Sequence, residues 1–149
     1  MSKKIHGRHG SRWVALQGLY AWTLSGVSLA KIEEDLLEHR PESKEEAISF
    51  DKEYLHELIH EIGLLAGDLD TLIEPHLDRK LEEVQPVEHA ILWIGIYELK
   101  VRVEIPYRVV LNEAILLAKH FGAQDSHKFI NGVLDKAAKV LRPREAVSS

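Results

Sequence analysis

Three groups of residues in this 149-residue chain have the types and spacing to do chemistry. His56-Glu57-Leu58-Ile59-His60 spells H-E-x-x-H, which on a helix stacks two imidazoles on one face for zinc, with the Glu as base. Leu55, Leu58, Ile59 and Ile62 set the buried face of that helix. At about 100° per residue His56 and His60 point away from it, into solvent. A catalytic zinc also needs a third protein ligand and a cleft that limits water. Nothing nearby supplies either, so the motif reads as a solvated face. The second group is basic: residues 1–12 hold Lys3, Lys4, Arg8 and Arg12, with His6 and His9 and no acid. Such side chains neutralise phosphates, although the residues alone fit a solvated terminus equally well. The third group is Lys128 and Phe129, just after Gln124, Asp125 and Ser126. A cation, an aromatic ring and the free N–H groups of a helix start together can hold a nucleotide. Spacing alone fits a first-turn core Phe beside a solvated Lys.

Other catalytic patterns are absent from the sequence. There is no Gly-rich phosphate loop and no G-x-S-x-G. The chain has no cysteine, which removes disulfides and thiolate chemistry and fits a cytoplasmic location. Acids and histidines are plentiful but scattered. The expectation is a non-enzymatic protein with no catalytic residues, cofactor or metal. A net charge of −5 argues against wholesale coating of nucleic acid, but the charge is unevenly spread. Residues 31–61 hold eleven acids against four bases, whereas residues 126–145 hold five bases against two acids. If folding joins the two basic regions, they form one positive surface on an acidic protein. No apolar run approaches the roughly 20 residues of a membrane span, and the basic start lacks the apolar core of a signal peptide.

The elements that must position these groups are helical. Residues 1–10 read as a flexible basic arm and 11–145 as a single helical domain. Ser11 is the expected N-cap of a helix to about Ser25, burying Val14, Leu16, Leu19 and Tyr20, with Trp22 and Leu24. Ser28 caps an acidic helix to about His39. Asp51 caps the next, with Phe50 stapled against Leu55. Gly67-Asp68 is expected to break that helix, leaving a shorter one that ends near Pro75. Pro86 starts a helix to about residue 101 that is apolar nearly all round and therefore central or partner-facing. Glu98 on it reads as a partly buried carboxylate with a local donor. VRVEI at 101–105 has no second strand-like run to pair with and reads as a linker. Pro106 opens a helix with Val110, Ala114, Leu117, Ala118 and Phe121 inward, closed by a left-handed Gly122. The last helix, about Ser126 to Leu141, places Phe129, Val133, Ala137 and Val140 on one stripe and stops at Arg142-Pro143. The fold class is all-α, about seven helices in two packed groups.

Four stretches, in order and over nearly the whole length, resemble the NusB family of bacterial transcription antitermination factors: ALQGLYAWTLSG at 15–26, VEHAILWIGIYEL at 87–99, PYRVVLNEAILLAKHFG at 106–122 and DSHKFINGVLDKAA at 125–138. The resemblance implies the same all-α fold and an adaptor that, with the small-subunit ribosomal protein NusE, binds boxA single-stranded RNA on nascent ribosomal-RNA transcripts. The pair then acts in the RNA polymerase antitermination complex and promotes read-through. It implies an RNA-binding set of Lys3, Lys4, Arg8, His9, Arg12, Asp125, Lys128 and Phe129, and a NusE-binding pair of Tyr20 and Glu88. Asp125 repels phosphate while sitting at the helix start. The arm has fewer arginines than the family pattern, with His9 and Gly10 among them, and Trp93 stands where the family commonly has Arg. Some NusB-like proteins form homodimers. Two alternatives remain open: a NusB-like leading domain of a ribosomal-RNA cytosine methyltransferase, whose chemistry needs a cofactor domain and cysteines that this chain lacks, and a helical protein–protein module without RNA binding.

Overall fold

The computed structural model describes residues 7–38 and 49–147. Among them are seven helices, two 3₁₀ turns and no strand: α1 Gly7–Ser25, α2 Leu29–Glu38, α3 Lys52–Ile73, α4 Pro86–Lys100, α5 Tyr107–Phe121, α6 Ser126–Leu141 and α7 Pro143–Val147. The all-α expectation holds. The chain divides into two compact units, Met1–Leu64 and Leu65–Ser149, with the boundary inside α3.

In the first unit α1 packs on α2. The core is Trp13, Val14, Leu16 and Leu19 from α1, Ile32 from α2, and Tyr54, Leu55, Leu58, Ile59 and Ile62 from α3. Burying each large aliphatic side chain contributes roughly 1.5–3 kcal/mol before entropy is subtracted. The expected helix start at Ser11 is corrected. The helix begins at Gly7, so residues 7–10, expected in the arm, are helical. Gly10 lies against the backbone of Ser49 and the side chain of Phe50, where no Cβ has room. Ser11 is buried rather than capping. Its hydroxyl accepts from the Asp51 N–H at 3.0 Å and donates to the Asp51 carbonyl at 2.7 Å, joining α1 to the start of α3. The caps at Ser28 and Asp51 form as expected: Ser28 Oγ accepts from the Lys31 N–H at 3.3 Å and Asp51 Oδ1 from the Tyr54 N–H at 3.1 Å. Tyr20 and Leu24 are exposed, not buried as expected.

α3 does not break at Gly67-Asp68. A glycine inside a helix costs only about 1 kcal/mol. Leu69 and Ile73 are buried on the far side of it, so the helix continues to bury apolar residues. The helix ends where Pro75 enters a 3₁₀ turn, Glu74–His76.

In the second unit α4, α5 and α6 pack against one another. Eleven of the fifteen α4 residues are buried, as the all-round apolar pattern implies, and Ala90, Ile91, Leu92, Ile96 and Leu99 are fully so. Gly95 faces the Leu134 side chain of α6 closely enough that a Cβ would collide with it. Residues 101–105 form a turn with Ile105 buried, as a linker should. Gly122 closes α5 but is extended, φ −88°, so the left-handed reading is corrected. It is glycine for want of space: a Cβ there would meet the Ala118 carbonyl oxygen at 2.7 Å and Ser126 Cβ at 2.8 Å. The buried stripe of α6 is Ile130, Val133, Leu134, Ala137 and Ala138. Val140 is exposed and Phe129 only half-buried, which moves the stripe by about one residue from the expected set.

Candidate nucleic-acid and partner-binding site

The first turn of α6 carries the strongest candidate surface. Asp125 takes the left-handed conformation, φ 71°, that turns the chain into the helix. Its side chain makes no capping hydrogen bond. It pairs instead with Lys128, Nζ to Oδ1 at 3.4 Å, and both side chains are largely exposed. Ser126 is buried behind them. Phe129 keeps part of its ring open to solvent.

Arg79 completes this surface, and sequence reasoning missed it. Its guanidinium carbon lies 4.0 Å from the centre of the Phe129 ring. Asp78 holds it from the side, with Arg79 Nε donating to Asp78 Oδ1 at 2.8 Å and Nη2 reaching Oδ2 at 3.5 Å. The hydrogen bond from Arg79 keeps the Asp78 carboxyl below the usual carboxylate range. The same bond raises Arg79 further, assisted by the charges of Glu88 and Glu83. Nothing local marks Arg79 in sequence, because it lies in a turn remote from residue 129 along the chain. A cation over an aromatic face is a tertiary event.

Glu88 lies directly behind the turn. It is 7% exposed, and its Oε2 accepts from Ser126 Oγ at 2.8 Å. Its other oxygen, Oε1, is buried without a hydrogen-bond partner. An orphaned buried carboxylate oxygen costs about 1–3 kcal/mol or more and asks for a donor. Glu88, which the resemblance places in a NusE-binding pair, is therefore a buried acceptor. Trp93 is also inside. Its indole Nε1–H donates to Asp70 Oδ1 at 2.8 Å, and His89 Nε2 lies 2.6 Å from the same oxygen.

In the first unit the basic candidates separate. Lys3 and Lys4 lie outside the described residues. Arg8 is exposed, 4.8 Å from the centre of the Tyr54 ring. His9 is half-buried, its ring 6.2 Å from that of Trp13. Arg12, expected on the RNA surface, is only 3% exposed and lies 5.8 Å from the Tyr54 ring. It lies in the stretch of α1 from Gly10 to Leu16 that is buried on every side, whereas Arg8 is in the exposed first turn. Tyr20 is 37% exposed on the same helix.

The H-E-x-x-H histidines face solvent, as the helical geometry requires. His56 and His60 stack with ring centres 5.3 Å apart, and His56 Nδ1 lies 3.0 Å from both Glu33 oxygens. They edge a largely apolar pocket of about 360 Å³ lined by Trp22, Leu29, Ile59 and Leu64. Among the described residues no set of three or more His, Asp or Glu side chains is arranged to hold a metal ion. No helix among them is long and apolar enough to cross a membrane.

A family model described as the NusB family matches residues 9–139. The transcription antitermination protein NusB of Alcanivorax borkumensis is 47% identical over 139 residues, 93% of this chain and 89% of that protein. The protein of that name from Hahella chejuensis is 40% identical over 149 residues, all of this chain and 97% of its own. Among solved structures, NusB of T. maritima superposes with a TM-score of 0.80 at 28% identity, covering all of both chains. A chain in a crystal structure of antitermination factors NusB and NusE with double-stranded RNA gives 0.75 at 26% identity, covering 89% of this chain and 96% of that one.

Proposed function

The chain belongs to the NusB family, and on that premise we propose that it is a transcription antitermination factor that binds boxA-type RNA together with NusE and promotes read-through by RNA polymerase, chiefly on ribosomal-RNA transcripts. It acts as a cytoplasmic adaptor, not an enzyme: its helices present a fixed surface, and the chemistry belongs to the polymerase. Single-stranded RNA is held by cations on phosphates and flat groups against unstacked bases. The observation that carries the RNA part is the half-open Phe129 ring beside Lys128 at the start of α6. A core phenylalanine would leave no base platform there. Lys3, Lys4, Arg8 and His9 supply further phosphate and base contacts. Arg12 serves by holding Tyr54 under Arg8.

NusE is proposed to meet Tyr20, through its exposed apolar body and polar tip, and the start of α4, where the buried Glu88 acts from within by holding Ser126. Binding RNA and NusE on one body raises the effective concentration of each for the other, so the ternary complex outlasts either pair.

The test is binding of a boxA oligonucleotide to the wild-type chain and to Phe129→Ala, with and without NusE. Loss of one base–aromatic stack, about 1–3 kcal/mol, lowers affinity roughly five- to 150-fold, with far-UV circular dichroism unchanged. Equal affinities for the two proteins would exclude Phe129 as a base platform. NusE binding with no RNA binding in any combination would favour the protein–protein module.

A further inference from the structure

The two cations beside the Phe129 ring share a feature that family membership does not account for: each is already paired with a carboxylate from its own neighbourhood. Lys128 is held by Asp125 at 3.4 Å and Arg79 by Asp78 at 2.8 Å. Both acids are mostly exposed, 64% and 67% of the side chain. Exposed pairs of this kind contribute little stability, so they are easily exchanged for another anion. Arg79 differs from Lys128 in a further respect. Its guanidinium carbon already lies over the Phe129 ring, 4.0 Å from the centre. A guanidinium can stack on a ring and donate in-plane hydrogen bonds at the same time, and it matches phosphate oxygens in a bidentate way. The carboxylate of Asp78 occupies that donor edge, through Nε and Nη2.

Resting on the reading of this surface as an RNA site, we propose that Arg79 is a further RNA-binding residue, taking one backbone phosphate while stacked on Phe129, and that Asp78 is its internal competitor, setting RNA affinity by occupying the edge the phosphate needs. The exchange is anion for anion. Asp78 leaves the guanidinium for water, the phosphate enters, and no proton or covalent bond is involved. The stack holds the guanidinium in position throughout, which limits the conformational freedom lost when the phosphate arrives.

The experiment measures boxA oligonucleotide affinity across a salt series for the full chain, Arg79→Ala, Arg79→Lys, Asp78→Asn and Asp78→Asn/Arg79→Ala. Thermal melts confirm that each variant is folded. Arg79→Ala is expected to bind roughly tenfold more weakly, the loss of a hydrogen bond between charged groups, and to flatten the log–log salt slope by about 0.7, one phosphate on a single strand. Arg79→Lys is expected to keep the slope but not the full affinity, since lysine carries the charge without the planar stack. Asp78→Asn is expected to bind roughly threefold more tightly in the wild-type background and to change nothing when Arg79 is already alanine. Unchanged affinity and slope in Arg79→Ala would overturn the contact. An equal gain from Asp78→Asn in both backgrounds would reduce Asp78 to a general repulsive charge and overturn its role as competitor. If Phe129→Ala weakens binding while Arg79→Ala does not, the inference falls and the antitermination reading stands. If the wild-type chain binds no boxA RNA with or without NusE, both fall.

Discussion

At the level of single residues, Asp125 shows how sequence and structure divide the explanation. An aspartate just before a helix commonly caps it, but the Asp125 side chain makes no capping hydrogen bond. Its contribution is a left-handed backbone, φ 71°, with a carboxylate turned to Lys128. Asparagine tolerates that conformation nearly as well as aspartate. Asp125→Asn is therefore expected to leave stability within about 0.5 kcal/mol of wild type, as other exposed substitutions do. It removes the carboxylate that repels phosphate and frees Lys128, so boxA affinity should rise roughly two- to fivefold. Fluorescence anisotropy with a labelled oligonucleotide measures the gain, and a thermal melt checks the fold. Weaker binding would mean that Asp125 itself contacts RNA as an acceptor. The same position explains the limits of sequence reading here. Lys128 and Phe129 were legible because they follow turn residues directly. Arg79 and the Ser126–Glu88 hydrogen bond were not, because they arise from the approach of a distant turn and of α4.

At the level of elements, the two-group architecture and the starts of α2, α3 and α4 were readable from Ser28, Asp51 and Pro86, whereas Ser11 and Asp68 gave starts that the structure does not have. What the pattern missed is how α4 and α5 are joined to the end of the chain. Arg142 stood in the sequence only as part of a stop signal. It is 7% exposed and donates to the carbonyls of Leu99 and Ile105 at 2.8 Å and of Glu98 and Arg102 at 3.0 Å. It thereby satisfies the Leu99 carbonyl near the C-terminus of α4 and ties that end to the turn that follows. Glu145 of α7 holds Arg142 Nη1 at 2.8 Å and accepts from the Tyr107 N–H, the first of α5, at 2.8 Å. Such bonds join residues about forty apart, and no local periodicity encodes them. Arg142→Met, which fills the space but leaves the Leu99 and Ile105 carbonyls without their donor, is expected to cost about 2–4 kcal/mol in urea unfolding. Arg142→Lys should restore only part of that, since one ammonium cannot span the same acceptors. The Tyr107 N–H, and after it Arg142, hold the Glu145 carboxyl below its ordinary value of 4.5. A depressed folded-state pKa gives stability that is fully present above 4.5 and lost as pH falls through the folded value. Comparing wild type with Glu145→Gln from pH 6 downward should show the difference shrinking below about pH 4.5. A constant difference would mean that Glu145 contributes through shape alone.

At the level of the whole molecule, an acidic chain of net charge −5 is asked to hold a polyanion. Net charge opposes association at long range, so binding depends on a few local cations and on salt. Arg8 belongs to one compact unit, and Arg79 and Lys128 to the other. Lys3 and Lys4 precede Arg8 in the sequence. Whether both groups engage one RNA can be counted without reference to shape, because each neutralised phosphate on a single strand adds about 0.7 to the log–log salt slope. Four phosphates predict a slope near −3 for the wild-type chain. Replacing Lys3 and Lys4 together by alanine should bring it to about −1.5, and adding Arg79→Ala should flatten it by about 0.7 more. Successive loss from both groups on one oligonucleotide would establish that a single strand contacts both. A slope that ignores Lys3 and Lys4 but responds to Arg79 would confine RNA to the turn at the start of α6 and leave the basic N-terminal residues to another partner. A flat response throughout would exclude phosphate contacts as the source of affinity and leave stacking on Phe129 to carry it, which a neutral-backbone oligonucleotide would then bind equally well.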